Sequence, residues 1–238
     1  MSTLTNLIAY WRMDETSGIR YDSVGDLRLD QSGTVGSSTG KLGAKCASLS
    51  TTSCGLHIGG TLPGDFSGNQ LTVAGWFRID TVSGATQYPI ALIEVTDGAY
   101  SYRGLRVKYS NSSGYIFAET YDDINSETHS ASSFGALSVN TWYHLIATWD
   151  GTTVTLYVDN VSSSHTNHIS MGGYYELSTF AFGNSSSNYA FSVDEWGVWD
   201  EIISSTDRSD LYNSGSGAIP PGLGTPGSSI DNAAFLAF

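Results

Sequence analysis

The sequence predicts an all-β protein, an antiparallel two-sheet β-sandwich that forms one large domain. Three observations support this prediction. The chain has 27 glycines and only 5 prolines in 238 residues, as expected for many short strands joined by tight turns. An Asp-Gly pair at 150–151 lies between two runs rich in β-branched and aromatic residues, which is a strong hairpin signal. No long segment keeps a helical apolar period.

The hairpin around the Asp-Gly pair shows its pattern most clearly. Alternate positions on both sides of the pair are apolar or aromatic: Tyr143, Leu145, Ala147, Trp149, Val154, Leu156 and Val158. Because successive strand side chains point to opposite faces, only an even-length loop puts both rows on one face. We therefore predict one core face. The other face mixes polar and apolar residues, including His144 and Tyr157. This mixture is typical of a sheet surface that packs against another segment, a partner or a ligand.

The other elements follow from the same period-two pattern. Segments 21–43 and 122–133 have the composition of loops, and 202–212 is the one predicted short helix. Residues 1–213 are expected to form the sandwich, and 214–238 a Gly/Pro-rich linker followed by an apolar tail. Further strands are predicted at 7–18 (closing in a turn), 45–49, 55–58, 71–79, 90–95, 104–109, 115–120, 180–183 and 191–199.

The charge balance argues against two classes of partner. The net charge of −13 comes from 23 acidic and 10 basic residues, so nucleic acid and anionic membrane surfaces are repelled. No apolar run approaches the length of a membrane span, and the start lacks the features of a secretory signal, so we expect synthesis in the cytoplasm without membrane insertion. The acidity is explained either by solubility or by carboxylates that bind calcium.

The two cysteines, Cys46 and Cys54, could face each other across a hairpin or remain thiols. Two cysteines do not form a disulfide framework of the kind that small secreted domains use. Free thiols are therefore the default expectation.

Six segments in order give the chain a family resemblance: LIAYWRMDETSG, KLGAKCASL with GLHI, LTVAGWFRI, residues 140–160, FAFGN, and FSVDEWGVWDEIIS with LYNSGSG. Together they resemble a laminin-G-like domain of the concanavalin A-like lectin/glucanase superfamily. The resemblance implies a jelly roll of two antiparallel sheets. It also implies that ligand specificity lies in the least similar segment, 84–133.

The resemblance raises two chemical possibilities. Glucanases of the superfamily use carboxylates arranged Glu-x-Asp-x-Glu on one strand, and this triplet is absent here. Asp194 and Glu195 are adjacent, so strand alternation predicts that they point to opposite faces, and we expect no enzymatic activity. Related domains often carry calcium, and position suggests Asp14, Asp22 and Asp194 as ligands. The alternative is that Asp194 accepts hydrogen bonds from backbone amides near the first strand.

Glycan binding needs an aromatic surface for sugar C–H groups beside polar groups that form hydrogen bonds. Tyrosine is also common in β-sheets for packing reasons alone. Candidates in or next to the divergent segment are Tyr100, Tyr102, Arg103, Tyr115, Tyr121, Asp122 and Asp123.

These observations favour a non-catalytic, adhesive module on the surface of a bacteriophage virion, as a head-decoration, fibre or tail component. Expected partners are other virion proteins or further copies of this chain, bound through the apolar C-terminal tail, and a cell-surface glycan. One alternative is a carbohydrate-binding module of a secreted bacterial protein, acting extracellularly. A glucanase-type enzyme is the third reading, and the missing carboxylate triplet weakens it.

Overall fold

A computed structural model gives the three-dimensional structure of the protein. The inner face of each sheet is defined here as the one turned toward the other sheet, and the outer face as the opposite one. The structure describes residues 6–25, 27–50, 53–58, 70–82, 87–96, 102–122, 127–133, 135–166, 176–184 and 189–223.

The first sheet contains eight strands among the described residues. Its order is β14-β13-β12-β7-β16-β5-β4, and β1 pairs with β16 beyond the end of β5. The strands are β1 Leu7–Trp11, β4 Gly36–Ser38, β5 Cys46–Leu49, β7 Leu71–Val82, β12 Trp142–Trp149, β13 Thr153–Val158, β14 Val161–Thr166 and β16 Tyr189–Trp199.

The second sheet also has eight strands within the described part of the chain, in the order β11-β10-β9-β8-β15-β6-β3-β2. Every pairing in both sheets is antiparallel among these residues, which confirms the predicted fold class. The strands are β2 Arg20–Tyr21, β3 Arg28–Ser32, β6 Cys54–Ile58, β8 Gln87–Thr96, β9 Tyr102–Ser110, β10 Tyr115–Asp122, β11 Glu127–Ser132 and β15 Glu176–Asn184.

The main core lies between the inner faces of the two sheets. Alternate residues of β7, such as Val73 and Phe77, and of β9, such as Leu105, are buried there. The Trp11 ring of the first sheet stacks on Phe180 of the second at a centroid distance of 4.9 Å. The largest side chains buried in this core are aromatic, and burial of apolar area by aromatic and aliphatic residues together is the main force that holds the sheets together.

The predicted hairpin is confirmed. Trp149 pairs with Val154, so four residues form the loop, and Asp150 Oδ1 accepts hydrogen bonds from the amides of Thr152 and Thr153. Both apolar rows face the core: Leu145, Ala147, Trp149, Val154 and Leu156 are buried, with Tyr143 and Val158 packed against them.

The prediction that 21–43 and 122–133 are loops was wrong in part. The first contains β3 and β4, and the second contains β11. In β11 the side chain of Ala131 is buried, but the strand is otherwise polar and pairs only with β10, at the edge of its sheet. Edge strands of this composition lack the apolar alternation on which the prediction relied.

A helix, α1 Ser205–Tyr212, follows the last strand and begins later than the sequence predicted. The Ser204 hydroxyl caps it by accepting a hydrogen bond from the Asp207 amide, and Asn213 ends it with a left-handed conformation at φ 45°. Leu211 of the helix, with Ile203 and Leu223 around it, packs on Ala74 and Ile146 of the outer face of the first sheet. Residues 203–223 therefore pack with the outer face of the first sheet in a second, smaller core, and 224–238 lie outside the described residues.

Cys46 and Cys54 are both buried free thiols in different sheets, which confirms the expected reduced state. Among the described residues, no helix is long and apolar enough to cross a bilayer.

Candidate functional site

The outer face of the second sheet carries a cluster of aromatic and charged side chains on β9 and β10, here called the β9–β10 face. Strand alternation explains it, because Leu105, Val107, Ile116 and Ala118 are buried in the core and their neighbours in sequence point outward. In the register, Arg106 lies opposite Glu119 and Lys108 opposite Phe117. The five residues of the face are Arg106, Lys108, Phe117, Glu119 and Tyr121.

Two cations of the β9–β10 face share one carboxylate. Glu119 Oε2 lies 2.5 Å from Arg106 Nε and 2.5 Å from Lys108 Nζ. The Glu119 side chain is 7% exposed, whereas that of Arg106 is 33% exposed. A buried carboxylate is stable only when it is paired, and here it also fixes the orientation of both cations.

The Arg106 guanidinium also stacks on an aromatic ring. Its Cζ lies 4.7 Å from the centroid of the Tyr121 ring, within the range of a cation–π interaction. The Tyr121 ring thus fixes the plane of the Arg106 guanidinium, and the hydrogen bond to Glu119 fixes the position of its Nε. Both contacts reduce the conformational entropy that the side chain would lose on binding a ligand.

Not all predicted binding residues come together. Tyr115 and Tyr121 are at alternate positions of β10 and both half-buried, so they share the outer face. Tyr102 and Arg103 lie on β9, and Arg103 pairs in register with Asp122. Tyr100 and Asp123 lie outside the described residues.

The sequence prediction missed Arg106, Lys108, Phe117 and Glu119. The signal was present in β9, where Leu105, Val107 and Tyr109 alternate with Arg106 and Lys108. Such alternation predicts that the cations share the solvent face of a sheet. Their pairing with Glu119 depends on the register between β9 and β10, which the sequence does not state.

The predicted calcium ligands do not form one group. Asp22 lies beside β1, where its carboxylate accepts hydrogen bonds from the amides of Tyr10, Val24 and Gly25. Asp194 accepts hydrogen bonds from the Lys41 and Leu42 amides, and Asp14 accepts one from Lys45. Asp194 therefore binds backbone amides, as the alternative reading predicted.

No group of three or more His, Cys, Asp or Glu side chains that could hold a metal ion occurs in the described part of the chain. Each oxygen of Asp22 accepts at least one amide hydrogen bond, so the backbone around 10 and 24–25 already holds this carboxylate. Calcium binding stays a prediction.

The prediction that Asp194 and Glu195 point to opposite faces was wrong. The register moves from Asp194–Trp76 to Gly197–Ala74, so Glu195 and Trp196 together oppose Gly75 in a β-bulge. Glu195 has φ 53°, and the extra residue shifts the alternation. Trp196 still reaches the core, whereas both carboxylates lie on the outer side, near Tyr10 and Lys41.

Burial makes these two carboxylates unusually basic. Burial raises the pKa of Asp194 to about 7. Burial, followed by the neighbouring charge of Asp194, raises the pKa of Glu195 to about 8. The two residues are 0% and 3% exposed, respectively, so the chain itself covers them.

The mixed outer face of the first sheet meets the chain's own C-terminal segment. The rings of His144, Trp76 and Tyr212 of α1 contact one another, with centroid distances of 5.0 Å from His144 to Trp76, 6.1 Å from His144 to Tyr212 and 6.4 Å from Trp76 to Tyr212. Arg208 of the same helix lies over the Tyr157 ring at 4.3 Å. Burial lowers the pKa of His144 to about 3, so His144 is a neutral packing residue at physiological pH.

The fold is similar to solved toxin domains. The receptor binding domain of botulinum neurotoxin C/D mosaic serotype has 16% identity and a TM-score of 0.69, over 88% of this chain and 51% of that chain. The binding domain of Paraclostridial Mosquitocidal Protein 1 has 15% identity and a TM-score of 0.67, over 88% and 52%. The botulinum neurotoxin serotype D domain solved with N-acetylneuraminic acid has 15% identity and a TM-score of 0.64, over 87% and 50%.

At such identities the likeness shows the fold alone, and this chain spans about half the length of each of those chains. No curated protein sequence matches the chain. The family model Laminin_G_3, described as concanavalin A-like lectin/glucanases superfamily, matches residues 56–207. With the two antiparallel sheets and the ordered segments described above, this match shows that the chain belongs to that laminin-G-like family of the concanavalin A-like lectin/glucanase superfamily.

Proposed function

We propose that the protein is a non-catalytic adhesive module that binds glycans on the β9–β10 face. The observation that supports this function is the arrangement of Tyr121 and Phe117 beside the oriented charges of Arg106, Lys108 and Glu119. Aromatic rings contact the C–H faces of sugars, while charged groups held in place bind the hydroxyl and carboxyl groups. The sheet supplies a rigid support, which keeps the entropic cost of binding low.

The burial of the acidic pair supports a binding function over hydrolysis. Glycoside hydrolysis needs two carboxyl groups that reach the scissile bond. Asp194 and Glu195 share one side of the sheet, but both are buried and Asp194 binds the backbone of the 40–45 loop. A substrate would first have to displace that loop.

A similar solved domain adds a parallel. The botulinum neurotoxin serotype D ligand binding domain was crystallised with N-acetylneuraminic acid. The matched region is about half of that chain, so the bound sugar supports our proposal only by analogy of fold.

A glycan array with the purified protein tests this function. We expect hits that weaken about 2- to 13-fold in Tyr121→Ala, because loss of an aromatic contact removes about 0.5–1.5 kcal/mol. Tyr21→Ala is the matched control, since Tyr21 is exposed near the other edge of the same sheet. A blank array, or equal losses in both variants, would contradict glycan binding on this face.

We also propose that the protein acts on the surface of a bacteriophage virion. The alternative is that it is part of a secreted bacterial protein. A fold that keeps both cysteines as buried thiols needs no oxidising compartment, which is compatible with assembly in a cytoplasm. Mass spectrometry of purified phage particles and of the bacterial culture medium separates the two. Detection only in the medium of phage-free cells would contradict the virion setting.

A further inference from the structure

A second arginine that is stacked on an aromatic ring lies on the outer face of the first sheet. In the register, Trp142 of β12 lies opposite Arg78 of β7, and Arg78 lies opposite Ser192 of β16. Phe77 of the same strand is buried in the main core, so strand alternation puts Arg78 and Asp80 on the outer face. This face therefore carries an arginine, a carboxylate and an indole side by side.

The helix α1 covers the neighbouring row of this face, but not this group. Its end contacts Trp76 and His144, which lie one row further along the same strands. Within the part of the chain that the structure describes, no hydrogen bond, ion pair or ring contact joins Arg78 or Trp142 to residues 203–223. The C-terminal segment thus leaves this part of the sheet open.

Hydrogen bonds and one ring contact hold the Arg78 guanidinium in a single position. Its Nε donates to Asp80 Oδ1 at 2.5 Å, and its Nη2 donates to the hydroxyls of Ser38 at 3.1 Å and Ser192 at 3.3 Å. Its Cζ lies 4.8 Å from the centroid of the Trp142 ring, within the range of a cation–π interaction. Ser192 also donates to Asp80 Oδ2 at 2.6 Å, which fixes the carboxylate. Little side-chain entropy is then lost when a ligand binds.

This group keeps hydrogen-bonding capacity for a ligand. Among the described residues, Arg78 Nη1 and Trp142 Nε1 form no hydrogen bond, and neither atom is buried. The Arg78 and Asp80 side chains are 19% and 20% exposed, and each carboxylate oxygen has a second lone pair. Donors and an acceptor that are fixed beside an indole ring match the adjacent hydroxyl groups of a sugar. Since Asp80 compensates the charge of Arg78, the ligand needs no charge of its own.

We propose that Arg78, Asp80 and Trp142 form a second glycan site, specific for neutral sugar residues. The group repeats the arrangement on the β9–β10 face, where Arg106 also binds a carboxylate through Nε at 2.5 Å and stacks on an aromatic ring at 4.7 Å. The two sites lie on opposite outer faces of sheets that pack about 10 Å apart, so one sugar cannot contact both. The inference goes beyond the proposed function, because the two sites share no residue and the protein holds two glycan chains at once.

Fluorine NMR of the protein labelled with 5-fluorotryptophan tests the second site directly. The six tryptophans give six resonances, and Trp142→Phe assigns the one that belongs to Trp142. Cellotetraose, maltotetraose, chitotetraose and lactose are the neutral probes. We expect at least one of them to shift the Trp142 resonance. The shift should be the same in Tyr121→Ala, because that substitution changes only the β9–β10 face.

Arg78→Gln tests the residue that carries the site. It removes the charged donors and leaves Trp142 in place, so the affinity measured from the Trp142 shift should fall about 10- to 100-fold. Arg28→Gln is the matched control, because Arg28 also pairs through Nε with an aspartate two residues later, Asp30, but is 55% exposed and lies on the other sheet. Thermal unfolding shows whether each variant is folded. Arg78→Lys keeps the charge without the planar donors and should show the same loss if Arg78→Gln is unstable.

The outcomes separate the second site from the β9–β10 face. If none of the four probes shifts the Trp142 resonance, the second site is overturned, while array hits that weaken in Tyr121→Ala would leave the proposed function in place. A shift that disappears in Tyr121→Ala, or a loss in Arg78→Gln no larger than in Arg28→Gln, would also overturn the second site. A Trp142 shift together with array hits that Tyr121→Ala does not weaken would support the second site and contradict the first.

Discussion

At the scale of single residues, the β-bulge at Glu195 determines where three neighbours lie. It sends Trp196 to the core and keeps Asp194 and Glu195 on the outer side. The Trp196 ring occupies the space beside Gly75, and its Nε1 donates a hydrogen bond to the Trp76 carbonyl. A glycine is needed at position 75 because a Cβ there would lie 2.3 Å from Trp196 Cγ.

Gly75→Ala tests this close approach. Because the Trp196 ring is fully buried and cannot move aside, we expect the free energy of unfolding to fall by about 1–3 kcal/mol. Urea denaturation followed by tryptophan fluorescence measures it. Gly135→Ala is the control, since nothing lies within 4 Å of its added Cβ. Equal stability of the two variants would show that Trp196 adapts.

Glu195→Gln tests the pH dependence that burial imposes. Unfolding returns Asp194 and Glu195 to ordinary pKa values of 3.8 and 4.5, whereas the folded values are about 7 and about 8. The folded state therefore holds more protons between these limits, and its free energy of unfolding falls as the pH rises through them. Below pH 6.5 the lowered pKa of His144 gives the opposite slope, so pH 6.5 to 8 is the informative window.

In that window we expect the wild-type protein to lose stability as the pH rises, and Glu195→Gln to lose less. Asp14, Arg12 and Tyr10 also face the Glu195 carboxyl. The contribution of Glu195 to the pH dependence is therefore the difference between the stability curves of the wild-type protein and of Glu195→Gln. Chemical denaturation at closely spaced pH values measures them. Glu201→Gln, which changes a carboxylate outside this cluster, should follow the wild-type curve. Parallel curves for Glu195→Gln would contradict the assignment.

At the scale of elements, α1 is a helix that tertiary packing stabilises. Eight residues are too few for a stable isolated helix. The Ser204 cap and the burial of Leu211 against Ala74 and Ile146 compensate for the short length. The helix in turn covers an outer face that would otherwise expose Trp76 and His144.

Leu211→Ala should therefore destabilise the protein by about 2–5 kcal/mol, because it removes a buried side chain and leaves a cavity. Thr206→Ala is the control on the same helix, since Thr206 is exposed and alanine favours helix. Urea denaturation of both variants gives the difference. If Leu211→Ala unfolds at the same urea concentration as Thr206→Ala, the contact of the helix with the sheet contributes little.

At the scale of the whole molecule, the apolar C-terminal tail carries the prediction of self-association. Ile219 and Leu223 pack against the domain's own outer face, and Arg12 Nη2 donates a hydrogen bond to the Leu223 carbonyl. A deletion that tests self-association should therefore begin after Leu223. We expect the full chain to form homo-oligomers and a chain lacking 224–238 to be monomeric, as measured by multi-angle light scattering. A full-length monomer whose mass is unaffected by the deletion would contradict this prediction.

The sequence predicted the strands in the middle of the sheets better than the polar strands at their edges. Alternating apolar residues located the inner strands, including β7, β12 and β13, because their burial on the inner face fixes a period of two. Polar edge strands such as β11 escaped detection, since their backbone pairing leaves little trace in side-chain type. Of the candidate binding residues, Tyr115 and Tyr121 were found as aromatics, but their charged neighbours were missed.

The sequence by itself therefore determined the all-β class, the core-facing rows and the family, because apolar periodicity and turn residues are local properties of the chain. Only the tertiary structure decided the register that joins Arg106, Lys108 and Glu119, and the bulge that turns Asp194 and Glu195 to one side. It also decided that α1 covers the mixed face of the hairpin. Each of these depends on contacts between residues distant in sequence, whose geometry is set by how the whole chain packs.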